Sequence, residues 1–159
     1  MGRPEEKMSV VTAMVRTTFL VNAAYAASGR EYGLTPQQGQ LLCVLMPQPY
    51  GMSELGGMLG LAKSSLTGLV DRTAKLGYVR REPDPLDGRA VRVALTGPGE
   101  VLAEDFYAAT CRKVEELSAG LADGEREALA ELLGRIVTGN EAPEVFMELD
   151  EPVRTGSPS

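Results

Sequence analysis

Histidine and tryptophan are absent from this chain, cysteine occurs twice, and aromatic residues make up only 5% of it. The missing histidines remove the commonest general base and the commonest metal ligand together, so acid–base or zinc-dependent catalysis has little to be built from. Cys43 and Cys111 stand far apart, each inside an apolar helical pattern. That is neither a disulfide framework nor a zinc spacing, and it fits a reducing, cytoplasmic setting. No enzyme, metal or cofactor is expected. The chain also lacks the uninterrupted apolar run of about eighteen residues that a membrane span calls for. The stretch from Arg16 to Ser28, a base followed by apolar and small residues, has the look of a leader. Thr17, Thr18 and Asn22 break it and Glu5 and Glu6 spoil the basic lead, so it is better read as the apolar face of a helix.

Acid is what the chain has in excess, with 22 Asp and Glu against 16 Lys and Arg and a net charge of -6. Taken as a sum, that argues against a nucleic-acid partner. The distribution reverses the argument. Residues 53–96 carry seven bases and five acids, while residues 97–159 carry five bases and fourteen acids. The local field, not the total, is what DNA meets.

Apolar spacing predicts six helices with a hairpin between the fourth and fifth, a mainly α fold in one domain over residues 1–142. The first helix is expected from about Glu5 to Arg30, and its near-continuous apolarity after Phe19 calls for cover on more than one side, most simply from a partner subunit. Gly33 breaks the chain. Thr35, Pro36 and Gln38 then restart it as N-cap, first helical residue and capping-box partner, in a helix that stops before Pro47. Ser53 is expected to cap a third helix through Leu59, Gly60-Leu61 to turn the chain, and a fourth helix to run from Lys63 to Leu76 and close on Gly77. Two strands, Tyr78–Glu82 and Arg89–Leu95, flank a loop from Pro83 to Gly88. A fifth helix from Gly97 to Ala119 is capped by Thr96, with Val101, Leu102, Phe106, Ala109, Val114 and Leu117 on its apolar side. A sixth, Gly124 to Thr138, is capped by Asp123. The acidic tail, 143–159, is expected to be at least partly unstructured.

Two short helices followed by a hairpin with basic residues are the parts of a winged helix-turn-helix. The fourth helix buries Leu66, Leu69, Val70 and Thr73 on one side. It leaves Ser64, Ser65, Thr67, Gly68 and Arg72 elsewhere, a small, polar and basic surface that suits a major groove roughly 12 Å wide. Lys63 and Arg72 can reach guanine or phosphate. Read alone, these are also ordinary residues of a solvated helix. The hairpin that follows adds Arg80, Arg81 and Arg92 on its strands and Asp87, Gly88 and Arg89 at its tip, where a guanidinium can enter the narrow minor groove and Asp87 can hold it.

The stretch from Leu34 to Gly97 resembles the MarR family of bacterial transcriptional regulators. It carries Leu34-Thr35 with Gln38, Leu59-Gly60-Leu61, Leu69-Val70-Asp71-Arg72, Gly77 with Val79 and Arg81, Asp87 with Arg89, and Leu95-Thr96 in that order. The resemblance implies a homodimer whose outer helices, 5–32 and 97–140, form the dimerisation layer and whose residues 34–96 form the DNA-binding lobe. It further implies a pseudo-palindromic operator in double-stranded DNA and repression relieved by a small anionic or aromatic effector. Asn22, Tyr25 and Tyr107, polar groups within apolar patterns, are candidates for the effector site; satisfied polar groups at the subunit interface are the plainer alternative. This sequence departs from the family pattern at three points. Ala62 stands where Ser usually caps the recognition helix, Gly88 where the wing is often basic, and no cysteine lies in residues 1–42, where peroxide-sensing members carry theirs. A winged module that binds protein and not DNA is the competing reading, favoured by the acidic C-terminal third and by Ala62. The retained Lys63, Arg72, Arg89 and Arg92 oppose it.

Overall fold

The computed structural model describes residues 7–142, in the order α1 (Val10–Tyr32), α2 (Pro36–Leu45), β1 (Tyr50–Gly51), α3 (Met52–Leu59), α4 (Lys63–Lys75), β2 (Val79–Pro83), β3 (Val91–Leu95), α5 (Gly97–Glu116) and α6 (Asp123–Gly139). The strands form an antiparallel sheet in the order β1-β3-β2. The six helices and the hairpin are those expected. The tail from Pro143 lies outside the described residues, as do Glu5 and Glu6.

Caps explain most of the boundaries that differ. Residues 7–9 are not helical: the Ser9 hydroxyl accepts from the Thr12 amide and starts α1 at Val10, later than the Glu5 expected from apolar spacing. Gly33, at φ 70°, ends α1 at Tyr32. Thr35 and Gln38 form the predicted reciprocal capping box. Ser53 is not the cap of α3. Gly51 holds that position, because the short strand β1 pairs Tyr50 with Val93 and Gly51 with Arg92 and so delivers Gly51 in an extended conformation. A two-residue strand carries too little pattern to be seen in sequence. In α6, Asp123 is the first helical residue and Ala122 the cap, with the Glu125 carboxylate accepting from the Ala122 amide. Helix α5 ends at Glu116, short of Ala119, and turns carry the chain to α6. The wing strands begin one and two residues later than expected, the second still ending at Leu95, which moves Arg89 off the strand and into the turn.

The core lies between α2, α3, α4, the sheet and one side of α5. Leu41, Leu42, Leu55, Leu66, Leu69, Val70, Val93 and Phe106 are its largest fully buried apolar side chains. A Cβ at Gly39 would overlap the Phe106 ring, so the glycine lets α2 seat directly on α5. The second half of α1 joins this lobe through Ala24, Ser28 and Gly29, and through a buried hydrogen bond of 2.8 Å from the Thr110 hydroxyl to that of Ser28. Its first half does not, and Val10, Val15 and Phe19 stay exposed. Val101 and Leu117, placed by periodicity on the apolar side of α5, are also exposed, at 62% and 46%. No residue of α6 is buried. By length and composition alone α1 is apolar enough to cross a membrane, with a mean hydropathy of 1.3 over eighteen residues, a test that helices of other proteins also pass. The packing of its second half against α2 and α5 is what ties it to the lobe.

Candidate nucleic-acid interface

The turn from α3 into α4 is made by Gly60 at φ 65°. Helix α4 begins at Lys63 behind Ala62, which offers no side-chain acceptor to the first amides. Leu66, Leu69, Val70 and Thr73 are buried as the spacing required, and that fixes the opposite side of the helix toward solvent. Lys63, Ser64, Ser65 and Arg72 are exposed there, and Thr67 and Gly68 are half-buried beside them. Among these, the Thr67 hydroxyl donates to the Lys63 carbonyl at 2.9 Å, so its own proton is spent within the helix and only its lone pairs remain for a ligand. The Arg72 guanidinium folds back over Gly68, where an added Cβ would lie 3.1 Å from Nη1. Glycine at 68 therefore sets where Arg72 can rest.

The wing divides the basic residues into two groups. Glu82 sits opposite Arg92 in the hairpin register and accepts from its Nε at 2.6 Å, while Arg80 lies 3.1 Å from the same carboxylate and donates to the Leu95 carbonyl. The Arg92 hydrogen bond, ahead of Arg80, holds the Glu82 carboxyl below the usual carboxylate range. Arg81 reaches across to Asp71 of α4 at 2.7 Å. Arg80, Arg81 and Arg92 are thus engaged within the lobe, where they brace the wing and fasten it to α4. Arg89 is different. It is exposed at the tip, in no ion pair among the described residues. Asp87 does not grip its guanidinium as expected. The Asp87 carboxylate accepts from the Arg89 backbone amide at 3.1 Å and so shapes the turn itself, with Gly88 between them. Sequence reasoning missed Asp71 and Glu82 as braces. The cross-strand Glu82–Arg92 pair follows once the register is known, but nothing local announces Asp71–Arg81.

The effector candidates lie elsewhere. Tyr25 on α1 packs its ring 6.1 Å from Phe106. Burial, followed by the nearby Cys43, Cys111 and Tyr107, pushes its phenol upward from the ordinary value. Tyr25 and Tyr107 are therefore brought together between α1 and α5, and both are half-buried. Asn22, one turn earlier on α1, is exposed. The same neighbourhood holds both thiols. Burial, and after it Cys111, pushes Cys43 up to about 12, which leaves it a neutral and poorly nucleophilic thiol at ordinary pH. No group of three or more metal-ligating side chains occurs among the described residues.

Comparison with known proteins places this architecture. A model of the MarR family matches residues 32–90. The HTH-type transcriptional repressor NicR of Pseudomonas putida is 34% identical over 110 residues, covering 68% of this chain and 69% of its own length. Crystal structures share the fold. The apo form of wild-type MarR from E. coli superposes with a TM-score of 0.74 at 24% identity, covering 83% of this chain and 99% of that one. Bordetella bronchiseptica BpsR, whose DNA binding is regulated by 6-hydroxynicotinic acid, superposes with a TM-score of 0.68 at 23% identity, covering 85% and 97%.

Proposed function

Since this chain belongs to the MarR family of transcriptional regulators, we propose that it works as a homodimer reading a pseudo-palindromic operator through α4 and the wing tip, as a repressor released by a small ligand. The observation that carries the reading is the Asp71–Arg81 bridge, which sets the wing beside the exposed face of α4. Helix α4 presents Lys63, Ser64, Ser65, Thr67 and Arg72 to the major groove, and Arg89 enters the minor groove beside it. Gly68 and Gly88 keep those approaches close. Arg80 and Arg81 serve the reader by holding the wing in place and contribute charge next to the phosphates.

Residues 10–32 of α1, together with α5 and α6, form the dimer layer, and 34–96 form the reading lobe. The effector is a small aromatic or anionic molecule of the kind that regulates the Bordetella relative, received near Tyr25 and Tyr107. The protein acts in the cytoplasm, where its operator is.

The test is Arg89→Ala, assayed by anisotropy on an operator selected from a randomised duplex pool. Binding should weaken by roughly 1 to 3 kcal/mol, the scale of one specific groove contact, with thermal stability unchanged. Asp87→Ala should cost less, by loosening the turn, and Arg112→Ala, exposed on α5, should cost nothing measurable. An Arg89→Ala protein that binds as tightly as the parent removes the minor-groove arm of the mechanism.

A further inference from the structure

Helices α1 and α5 both run between the reading lobe and the proposed dimer layer, and they meet where the Thr110 hydroxyl donates to that of Ser28. On the lobe side, α5 is fastened to the end of α4. The Thr96 hydroxyl caps α5 by accepting from the Gly99 amide and donates to the Gly77 carbonyl at 2.6 Å. A Cβ at Gly99 would overlap the Tyr78 carbonyl, so α5 sits directly on the turn that closes α4. Toward the dimer layer the two helices part. Thr17, Leu20 and Val21 of α1 line an open groove of about 410 Å³ with Val114 and Leu117 at the end of α5. The angle between the helices is therefore decided near Ser28 and Thr110.

That angle matters because α5 is a lever. Thirteen residues separate Thr110 from Gly97, about 20 Å at the helical rise. A tilt of about 10° would carry the end of α4 by about 3.4 Å, the rise of one base pair. Packing of side-chain ridges into grooves leaves a crossing angle loose by about 15–20°, which is wider than that tolerance. Contacts of buried alanines such as Ala24 and Ala109 have no preferred direction and cannot narrow it. A hydrogen bond can, because it weakens steeply away from its line. The Thr110–Ser28 bond is 2.8 Å long and joins two fully buried hydroxyls, where no water competes for either. One turn further along both helices, Lys113 reaches Glu31 at 2.9 Å, a second tether that is exposed and correspondingly weaker.

We propose that Ser28 and Thr110 are positioning residues that fix the separation of the two reading helices in the dimer, and with it the half-site spacing the protein accepts, with Glu31 and Lys113 reinforcing them. This rests on the dimeric DNA-reading function proposed above. Neither hydroxyl touches DNA; both act through the angle of α5.

The experiment compares two duplexes on each protein: the selected operator, and the same operator with one base pair inserted between its half-sites. The ratio of the two affinities is the readout, and a loss of folded protein cancels from it. The parent should prefer the selected operator by roughly tenfold or more, since the insertion shifts one half-site by about 3.4 Å and turns it by about 35°. Ser28→Ala with Thr110→Val should still dimerise, yet its ratio should fall severalfold. Thr110→Ser keeps the hydroxyl and should keep the parent's ratio. Lys113→Gln, an exposed change that leaves the core intact, should lower the ratio less than the double variant does. An unchanged ratio in the double variant, or in Lys113→Gln should the double variant not fold, overturns the inference while leaving the reader intact. A ratio that falls as far in Thr110→Ser overturns it too, because the hydroxyl is then not what holds the angle. A parent that binds both duplexes equally well overturns the inference alone, and a parent that binds neither overturns the DNA-reading function with it.

Discussion

Ser28 and Thr110 are both fully buried, and each hydroxyl is affordable there only because of the other. A buried polar group without a partner costs about 1 to 3 kcal/mol, whereas removing both partners together is close to neutral. Ser28→Ala should therefore lower stability by an amount in that range, and Ser28→Ala with Thr110→Val should recover part of it. Urea melts of the two variants measure the difference; a double variant less stable than the single one would contradict the pairing. Cys43 makes a second residue-scale case. Its thiol is raised from 9.0 to about 12, so the unfolded chain ionises first. The stability contributed by keeping it neutral is complete below about pH 9 and is lost as the pH rises toward 12. Cys43→Ala should accordingly show a shallower loss of stability between neutral pH and about pH 10 than the parent. Parallel alkaline limbs for the two proteins would remove Cys43 as a cause.

At the scale of elements, α4 shows how a helix can be placed by its neighbours and left unfinished at one end. Its buried face and the Asp71–Arg81 bridge fix its position, yet Ala62 offers nothing to its first amides. Supplying a hydroxyl there should stabilise the protein by about 1 kcal/mol. Ala62→Ser should thus raise the urea midpoint and slow hydrogen exchange in the first turn of α4. If neither changes, those amides are already satisfied by water and the cap contributes nothing. The wing is built on a similar economy of parts: Glu82 serves both Arg80 and Arg92, and the Thr96 hydroxyl accepts from Gly99 while donating to the Gly77 carbonyl, so one residue joins the start of α5 to the end of α4.

For the whole molecule the decisive quantity is the apolar surface that one chain leaves open. Val10, Val11, Val15, Phe19 and Leu20 on α1 and Leu132, Ile136 and Val137 on α6 are exposed, and a groove of about 480 Å³ between these helices is lined almost wholly by apolar side chains. A continuous apolar patch of that kind marks an interface. Sedimentation at micromolar concentration should report about twice 17.0 kDa, and Phe19→Glu should shift the protein toward the single-chain mass. A folded parent that sediments as one chain would refute the dimer layer.

Local rules made much of this protein legible from its sequence. The Thr35–Gln38 box, the glycine turns at 33, 60 and 77, the Thr96 cap and the buried stripe of α4 each depend on residues within a few positions of one another, where capping and periodicity act. The candidate surface of α4 followed from that stripe, because burying one side of a helix exposes the other. What lay beyond reach depended on residues distant in the chain or on fine register. Pairing with β3 moved the α3 cap from Ser53 to Gly51. Folding brought Asp71 to Arg81, Ser28 to Thr110, and Cys43 and Cys111 to the side of Tyr25. It also separated wing arginines that look alike in sequence into three that brace and one, Arg89, that makes no ion pair among the described residues. Ion pairs and buried hydrogen bonds form only where the backbone delivers both partners to within about 3 Å. That delivery is a property of the packed chain, not of any segment of it.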